Sequence, residues 1–486
     1  MDDVKASESA DATRQGPGAG RKVPDQVHAA VALAAGLALR LWLLGKLFEA
    51  NGDSLIYGGL AKNMLLHGRF ALTLPSGEMY PTLIRLPGYP LFLAACFRLF
   101  GMENYFSAAC VQLVLDLATC LLLADFARRV APEQYKKSAA FGALWLGALC
   151  PFTASYAAFP LTETATICML ALAMWAIARF REHAGWGNAL CFTFAVTYAA
   201  LLRPDGALAA MAFAPVLLLA SRRCAGSRRI EPRRLAAMAT VFALLALAPF
   251  GAWAARNWRV FHVFQPLAPR SAADPGESTN PGWERWVKTW CLDFVSTYQI
   301  YWNVPWDALD VKELPRRAFD SPRQYAETAA LAAEYNANGY ELTPKIDAGF
   351  EQLADERIAA HPLRFYLWLP IGRVGDMWMR PRVENLPIDL DWWVYAHHHA
   401  ETEFSWAYAG LNAVYLLLGV TGLCLRPRFW IPLVAYMILR SALLLTVEAP
   451  EARYTLECFP MLIAGGGVAI GSGWKRMARL PSRGLK

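Results

Sequence analysis

The sequence predicts an all-α polytopic membrane protein: a bundle of about ten or more transmembrane helices with juxtamembrane helices and an extracytoplasmic domain. Three observations predict it. The 486 residues are 56% hydrophobic, with 18 Trp, too apolar for a single soluble core. The apolar residues come in continuous runs of about 20, the length that crosses a bilayer, whereas a β-barrel would alternate. Basic residues gather in short connectors: Arg128-Arg129 with Lys136-Lys137, Arg222 to Arg234, Arg426 to Arg428, and Lys475 to Lys486. That distribution is an orientation signal, so the net charge of +7 does not indicate nucleic acid.

Residues 1–25 are polar, rich in Gly, Ala and Asp, and read as a disordered cytoplasmic N-terminus. The first apolar run, Val27 to Phe48, is too long for a signal-peptide core and reads as a retained helix running outward, with Arg21 and Lys22 behind it. Arg40 falls near its middle, where a charge is costly unless paired. Asp116, in the middle of a later span, is a possible partner; snorkelling towards an interface is the alternative.

Gly88 to Phe100 is short for a span, and if it crossed, the Arg128–Lys137 connector would face outward. It is expected as a juxtamembrane or re-entrant helix within an outer loop, 49–104. Spans then alternate: Tyr105–Ala127, Ser138–Ala157, Thr162–Phe180, Asn188–Leu202, Gly206–Ala220 and Leu235–Ala254. These make an N-terminal transmembrane module of residues 26–254. Residues 255–404 form the extracytoplasmic domain, and 405–474 hold three more spans, Ser405–Leu425, Trp430–Val447 and Cys458–Trp474. The tail, 475–486, is basic and cytoplasmic.

Most cysteines, Cys110, Cys120, Cys168 and Cys191 among them, lie within apolar runs as packing residues, and no disulfide framework or zinc spacing is visible. Trp283, Trp286, Trp290, Trp302 and Trp306 could stack on a sugar, though an interfacial aromatic belt is the stronger reading. His361 to Arg382 suits an interfacial amphipathic helix. His397-His398-His399, with Glu401 and Glu403, invites a metal reading. Consecutive histidines diverge, however, and a solvated loop near the membrane is favoured. No metal or other cofactor is expected.

Polar chemistry concentrates at one face. A sugar transfer from a phosphate-linked lipid needs a base for the attacking hydroxyl and cations for the departing phosphate. Asp53 fits the base, although position alone favours an N-cap for the following helix. Arg85, before Pro87-Gly88-Tyr89-Pro90, fits the phosphate role. Glu163 begins an apolar helix, where an acid is also simply favourable. Arg453-Tyr454 offers a cation and a hydroxyl, or an interfacial anchor. Arg256 binds substrate or marks the end of a span.

Asp53-Ser54 with Tyr57, Leu60-Ala61-Lys62-Asn63 and His67-Gly68, then Arg85-Leu86-Pro87-Gly88-Tyr89-Pro90, resembles bacterial GT-C glycosyltransferases. The relevant branch is related to protein O-mannosyltransferases and the lipid A aminoarabinose transferase. Pro160-Leu161-Thr162-Glu163, Arg203-Pro204-Asp205-Gly206, Arg256-Asn257-Trp258 and Glu451-Ala452-Arg453-Tyr454 recur at comparable places. The resemblance implies a GT-C-like bundle in the bacterial plasma membrane, its active site facing the periplasm or cell exterior. It implies a polyprenyl-phosphate-linked sugar donor, an extracytoplasmic acceptor (lipid, glycan or protein) and membrane lipids as partners, with no nucleic acid. It further implies that Asp53 is the catalytic acid/base; Arg85, Tyr89, Glu163, Arg256, Arg453 and Tyr454 are the residues expected to bind substrate. Ser54 stands where some relatives carry a second acid. The expected reaction is an inverting displacement. The alternatives are a polysaccharide polymerase or ligase using a diphosphate-linked donor, and a lipid flippase or transporter.

Overall fold

The computed structural model describes residues 25–220 and 232–477. The expectations for the N-terminal segment with Arg21 and Lys22, for most of the Arg222–Arg234 connector, and for the tail beyond 477 lie outside the described residues. The described residues are mostly helical, with one hairpin of two short strands among them.

In chain order, α1 (Asp25–Leu47) leads to α2 (Asp53–His67), the hairpin β1 (Ala71–Thr73) and β2 (Met79–Pro81), and α3 (Gly88–Phe100). There follow α4 (Tyr105–Val130), α5 (Lys136–Ala148), α6 (Pro151–Tyr156), α7 (Thr162–Glu182), α8 (Trp186–Leu202), α9 (Ala207–Ala220) and α10 (Pro232–Phe261). The long segment holds α11 (Pro281–Lys288), α12 (Phe294–Ser296), α13 (Pro322–Ala337), α14 (Pro344–Ala360) and α15 (Leu369–Met379). The chain returns with α16 (His399–Cys424), α17 (Trp430–Leu444) and α18 (Phe459–Met477).

Among the described residues six helices are long and apolar enough to cross a membrane: Asp25–Leu47, Tyr105–Val130, Thr162–Glu182, Ala236–Phe261, His399–Cys424 and Ala452–Lys475. The expected span Ser138–Ala157 is broken instead, because α5 stops at Ala148 and Pro151 opens a separate helix. Helix α7 lies at the centre of the bundle, with Ile167, Leu170, Ala171, Met174 and Ile177 all buried. Helices α16 and α18 meet through glycines: a Cβ on Gly422 would stand 1.7 Å from the Gly465 carbonyl oxygen. Small residues give the close approach that packing in lipid requires.

Arg40 and Asp116 find each other. The Arg40 Nε donates to Asp116 Oδ2 at 2.7 Å, and its Nη1 donates to the carbonyls of Gly36 and Ala148. Both side chains are buried, so the pair is a clamp between α1 and α4 rather than a snorkelling arginine.

The segment between α10 and α16 has a core of its own, and it overturns the aromatic-belt reading for three tryptophans. Trp283, Trp286 and Trp290 are buried against Ile346, Phe350 and Leu353 where α11 packs on α14. Trp283 and Trp286, three residues apart, share one face of α11, and Trp290 lies in the turn just beyond its end. Trp302 and Trp306 stay exposed. In the His361–Arg382 stretch, Leu363, Tyr366, Trp368 and Ile371 are exposed, whereas Arg373 is buried and donates to backbone carbonyls. Of the three consecutive histidines, His398 alone gathers acids, with Asp391 at 3.1 Å and Asp389 at 3.4 Å, which ties that loop to the start of α16.

Candidate active site

Gly52 sets the geometry of the site. Its φ of +47° is one that L side chains rarely adopt, and it turns the chain from α1 into α2. Asp53 is therefore the first residue of α2 and makes no capping bond; the N-cap is Gly52. Its carboxylate is free to face Arg85, whose Nη2 donates to Asp53 Oδ1 at 2.7 Å. The N-cap reading of Asp53 is thus replaced by an ion pair.

The hairpin carries Arg85 back to Asp53, with Leu72 opposite Tyr80. The following loop is pinned from two sides. Leu83 N donates to Asp274 Oδ1 at 2.7 Å, and Arg256 donates to the carbonyls of Thr82 and Phe70 at 2.8 and 2.7 Å. The Arg256 guanidinium also lies over Phe70, Trp253 and Phe261. Arg256 lines neither cavity described below: it positions the loop that presents Arg85. Tyr89 lines neither cavity either. It is wholly buried beneath the loop, and its hydroxyl donates to Gln112 Oε1 at 2.6 Å.

The other expected residues converge. Glu163, in the first turn of α7, accepts from Arg203 at 3.0 Å and lies 3.8 Å from Arg453. Arg453 is held 2.5 Å from Glu451, which also accepts the Tyr454 hydroxyl. The Tyr454 ring lies under the guanidiniums of Arg203 and Arg453. Beneath them Arg440, fully buried, pairs with Asp205 and Glu457, and its Nε donates to the Tyr454 carbonyl. Three arginines and four carboxylates thus make one network, joining α7, the 204–206 turn, α17 and the 452–458 turn. One oxygen of Glu163, Oε2, is buried without a hydrogen-bond partner.

Two adjoining cavities open onto this network. The smaller, about 410 Å³, is lined by Asp53, Tyr57, Arg85, Glu163, Arg203, Arg453 and Tyr454. The larger, about 1310 Å³, shares Asp53, Arg85, Leu161, Ala272 and Arg453 with it and extends towards Glu284, Trp302, Trp306 and Glu341. An apolar groove of about 850 Å³ between α16 and α17 lies elsewhere and contains no carboxylate.

Burial alone would raise the pKa of the Asp53 carboxyl, but Arg85 and then Arg453 outweigh it and hold it below the ordinary value. Asp53 is therefore ionised at neutral pH. Arg85 is shifted the other way: burial works against its charge, and Asp53 more than restores it. Glu284 differs, since burial, reinforced by Glu448, pushes its carboxyl up to about 7.

Arg203 was missed as a site residue, though Arg203-Pro204-Asp205-Gly206 was visible as a turn. Its membership depends on Glu163 and Glu457, residues 40 and 254 positions from it, which no local pattern connects.

Comparison with known proteins adds the following. The family model for dolichyl-phosphate-mannose-protein mannosyltransferase matches residues 84–253. No curated protein matches the chain. Among solved structures, the chain is similar over 93% of its length to the Archaeoglobus fulgidus oligosaccharyltransferase tethered with an acceptor peptide, at 13% identity and a TM-score of 0.47. It spans half the length of that structure, covering 50% of it. It is similar over 92% of its length to ArnT from Cupriavidus metallidurans bound to undecaprenyl phosphate, covering 76% of that chain at 16% identity and a TM-score of 0.38. For ArnT in the apo state the coverage and identity are the same and the TM-score is 0.35. The region matched by the family model, about a third of this multi-pass membrane chain, includes Arg85, Glu163 and Arg203.

Proposed function

We propose that the protein transfers a sugar from a polyprenyl-phosphate carrier to an extracytoplasmic acceptor, with inversion at the anomeric carbon. The observation that carries this reading is one cavity wall that holds an ionised carboxylate, Asp53, beside two partly exposed arginines, Arg85 and Arg453. The match to the mannosyltransferase model supports the donor class.

In this reading the acceptor hydroxyl approaches from the larger cavity and hydrogen-bonds to Asp53. Its oxygen bonds to the anomeric carbon as the bond from that carbon to the phosphate oxygen breaks. Polyprenyl phosphate leaves, and the hydroxyl proton passes to Asp53 and then to solvent. Arg85 and Arg453 take the charge that develops on the departing phosphate. They suit this because their side chains keep 21% and 23% exposure, whereas Arg440 keeps none. Glu163 has its Oε2 free to accept from a sugar hydroxyl. The lipid tail would remain in the bilayer while the headgroup enters sideways. We place the site on the periplasmic or exterior side of the plasma membrane, consistent with the distribution of basic connectors.

The test is transfer of label from a panel of radiolabelled polyprenyl-phosphate and polyprenyl-diphosphate sugars in membranes, comparing wild type with Asp53→Asn. Transfer by the wild type alone supports the reading, and equal transfer by both removes Asp53 from catalysis. Transfer only from diphosphate-linked donors would favour the polymerase or ligase class.

A further inference from the structure

We propose that the larger cavity is the acceptor site and that it selects an oligosaccharide that is uncharged or carries an amine, rejecting anionic ones. This rests on the glycosyltransferase reading above and names the acceptor class for the same site.

Size comes first. At about 1310 Å³ the cavity exceeds the roughly 300–1,000 Å³ that holds a drug-sized ligand, so a chain of several sugar units fits it. Its wall then presents aromatic faces to water. Trp306 is 81% exposed and Trp302 and Tyr340 are each 39% exposed, all lining the same cavity as Asp53. Apolar ring surface left wet in a concave site is stabilised when a ligand covers it, and a flat ring suits the apolar face of a pyranose.

Charge gives the selectivity. The cations on the wall, Arg85 and Arg453, sit where the two cavities join, and each already holds a carboxylate. Glu284 and Glu341 line the cavity away from that junction and neither makes an ion pair among the described residues; Glu284, with its carboxyl at about 7, carries only part of a negative charge at neutral pH. Carboxylates of this kind accept from neighbouring sugar hydroxyls and attract an ammonium group, and they repel a uronate or phosphate. The uncompensated charge around an incoming acceptor is therefore negative.

The experiment uses the full-length protein in nanodiscs without any donor, titrated calorimetrically with three tetrasaccharides: a neutral β-1,4-glucan, a fully deacetylated glucosamine chain and a galacturonate. The neutral and amino chains are expected to bind, with the uronate at least tenfold weaker. Trp306→Ala should weaken neutral-chain binding at least tenfold and Trp306→Phe should largely retain it; the exposed position of Trp306 leaves the fold intact. The double variant Glu284→Gln, Glu341→Gln should narrow the gap between amino chain and uronate. Equal binding of the uronate, no binding of any tetrasaccharide, or indifference to Trp306→Ala would each overturn the proposal, as would binding only of an unglycosylated peptide. Because no donor is present, saccharide binding without transfer would fail the preceding reading alone. Transfer without saccharide binding would fail this one alone.

Discussion

The carboxylate of Asp53 and the guanidinium of Arg85, 32 residues apart in the chain, meet at 2.7 Å on the wall shared by both cavities. Each alters what the other can do. Arg85 keeps Asp53 ionised and so able to accept a proton, but also makes it a weaker base than a free carboxylate. A phosphate drawn to Arg85 and Arg453 would offset that positive charge and raise the basicity of Asp53 at the moment the donor is bound.

Asp53→Asn keeps the side chain's size but removes the carboxylate that the proposed mechanism uses as proton acceptor. Transfer should fall by about 10²–10⁴-fold, the usual range for general acid–base groups, with donor affinity changed far less. Single-turnover transfer alongside donor titration checks this.

The pH dependence follows from the same pair. The folded-state pKa of Asp53 lies below its ordinary 3.8, so the pair's stabilising contribution is full above that value and is lost as pH falls through the folded pKa. In kcat/KM, which reports the free enzyme, the acid limb due to Asp53 should lie below about pH 4. In kcat the limb should move to higher pH, because bound donor shares Arg85. Parallel pH profiles of the two parameters test the coupling.

Glu284 has the opposite sign. With its carboxyl at about 7, the folded protein holds this proton more tightly than the unfolded chain, so stability declines as pH rises from the ordinary 4.5 towards 7. Glu284→Gln should remove that decline and raise stability at pH 8 by about 1 kcal/mol, after discounting for solvent screening of a half-exposed group. Thermal unfolding at pH 5 and pH 8 distinguishes this from a uniform effect.

Breaking the Arg40–Asp116 clamp on one side leaves a charge buried without its partner. Arg40→Met or Asp116→Leu alone should cost about 3–5 kcal/mol, and the double variant should recover much of the loss. Thermal stability in detergent, followed by size-exclusion chromatography, measures the cycle.

Gly422→Ala should force α16 and α18 apart, since its Cβ would meet backbone rather than a flexible side chain. Overpacking of this kind costs about 1–3 kcal/mol. The same thermal assay applies, with Gly410→Ala, where the added Cβ meets nothing, as the control.

Much of this was legible in the sequence because membrane spans and loop chemistry are local properties. The apolar runs marked most helix ends to within a few residues, but Pro151 broke one span, α10 runs on to Phe261 and α16 begins at His399. The resemblance singled out Asp53, Arg85, Glu163 and Arg453, and in the structure all four share one cavity. What failed was the sense of direction. Tyr89 and Arg256 lie in the right segments but point into the fold, and Trp283, Trp286 and Trp290 form a core rather than a surface belt. Direction is set by tertiary packing, as the pinning of the 82–87 loop by Asp274 and Arg256 illustrates, and adjacent residues do not encode it.

The clamp between α1 and α4 also imposes an order on biosynthesis. Asp116 follows Arg40 by 76 residues, a delay of about 4–15 s at ordinary translation rates. Until it arrives, α1 carries an unpaired guanidinium at membrane depth, a condition costing roughly 2.5–3.5 kcal/mol. The first helix is thus a conditional resident of the lipid, and a nascent chain interrupted before α4 exposes a polar flaw.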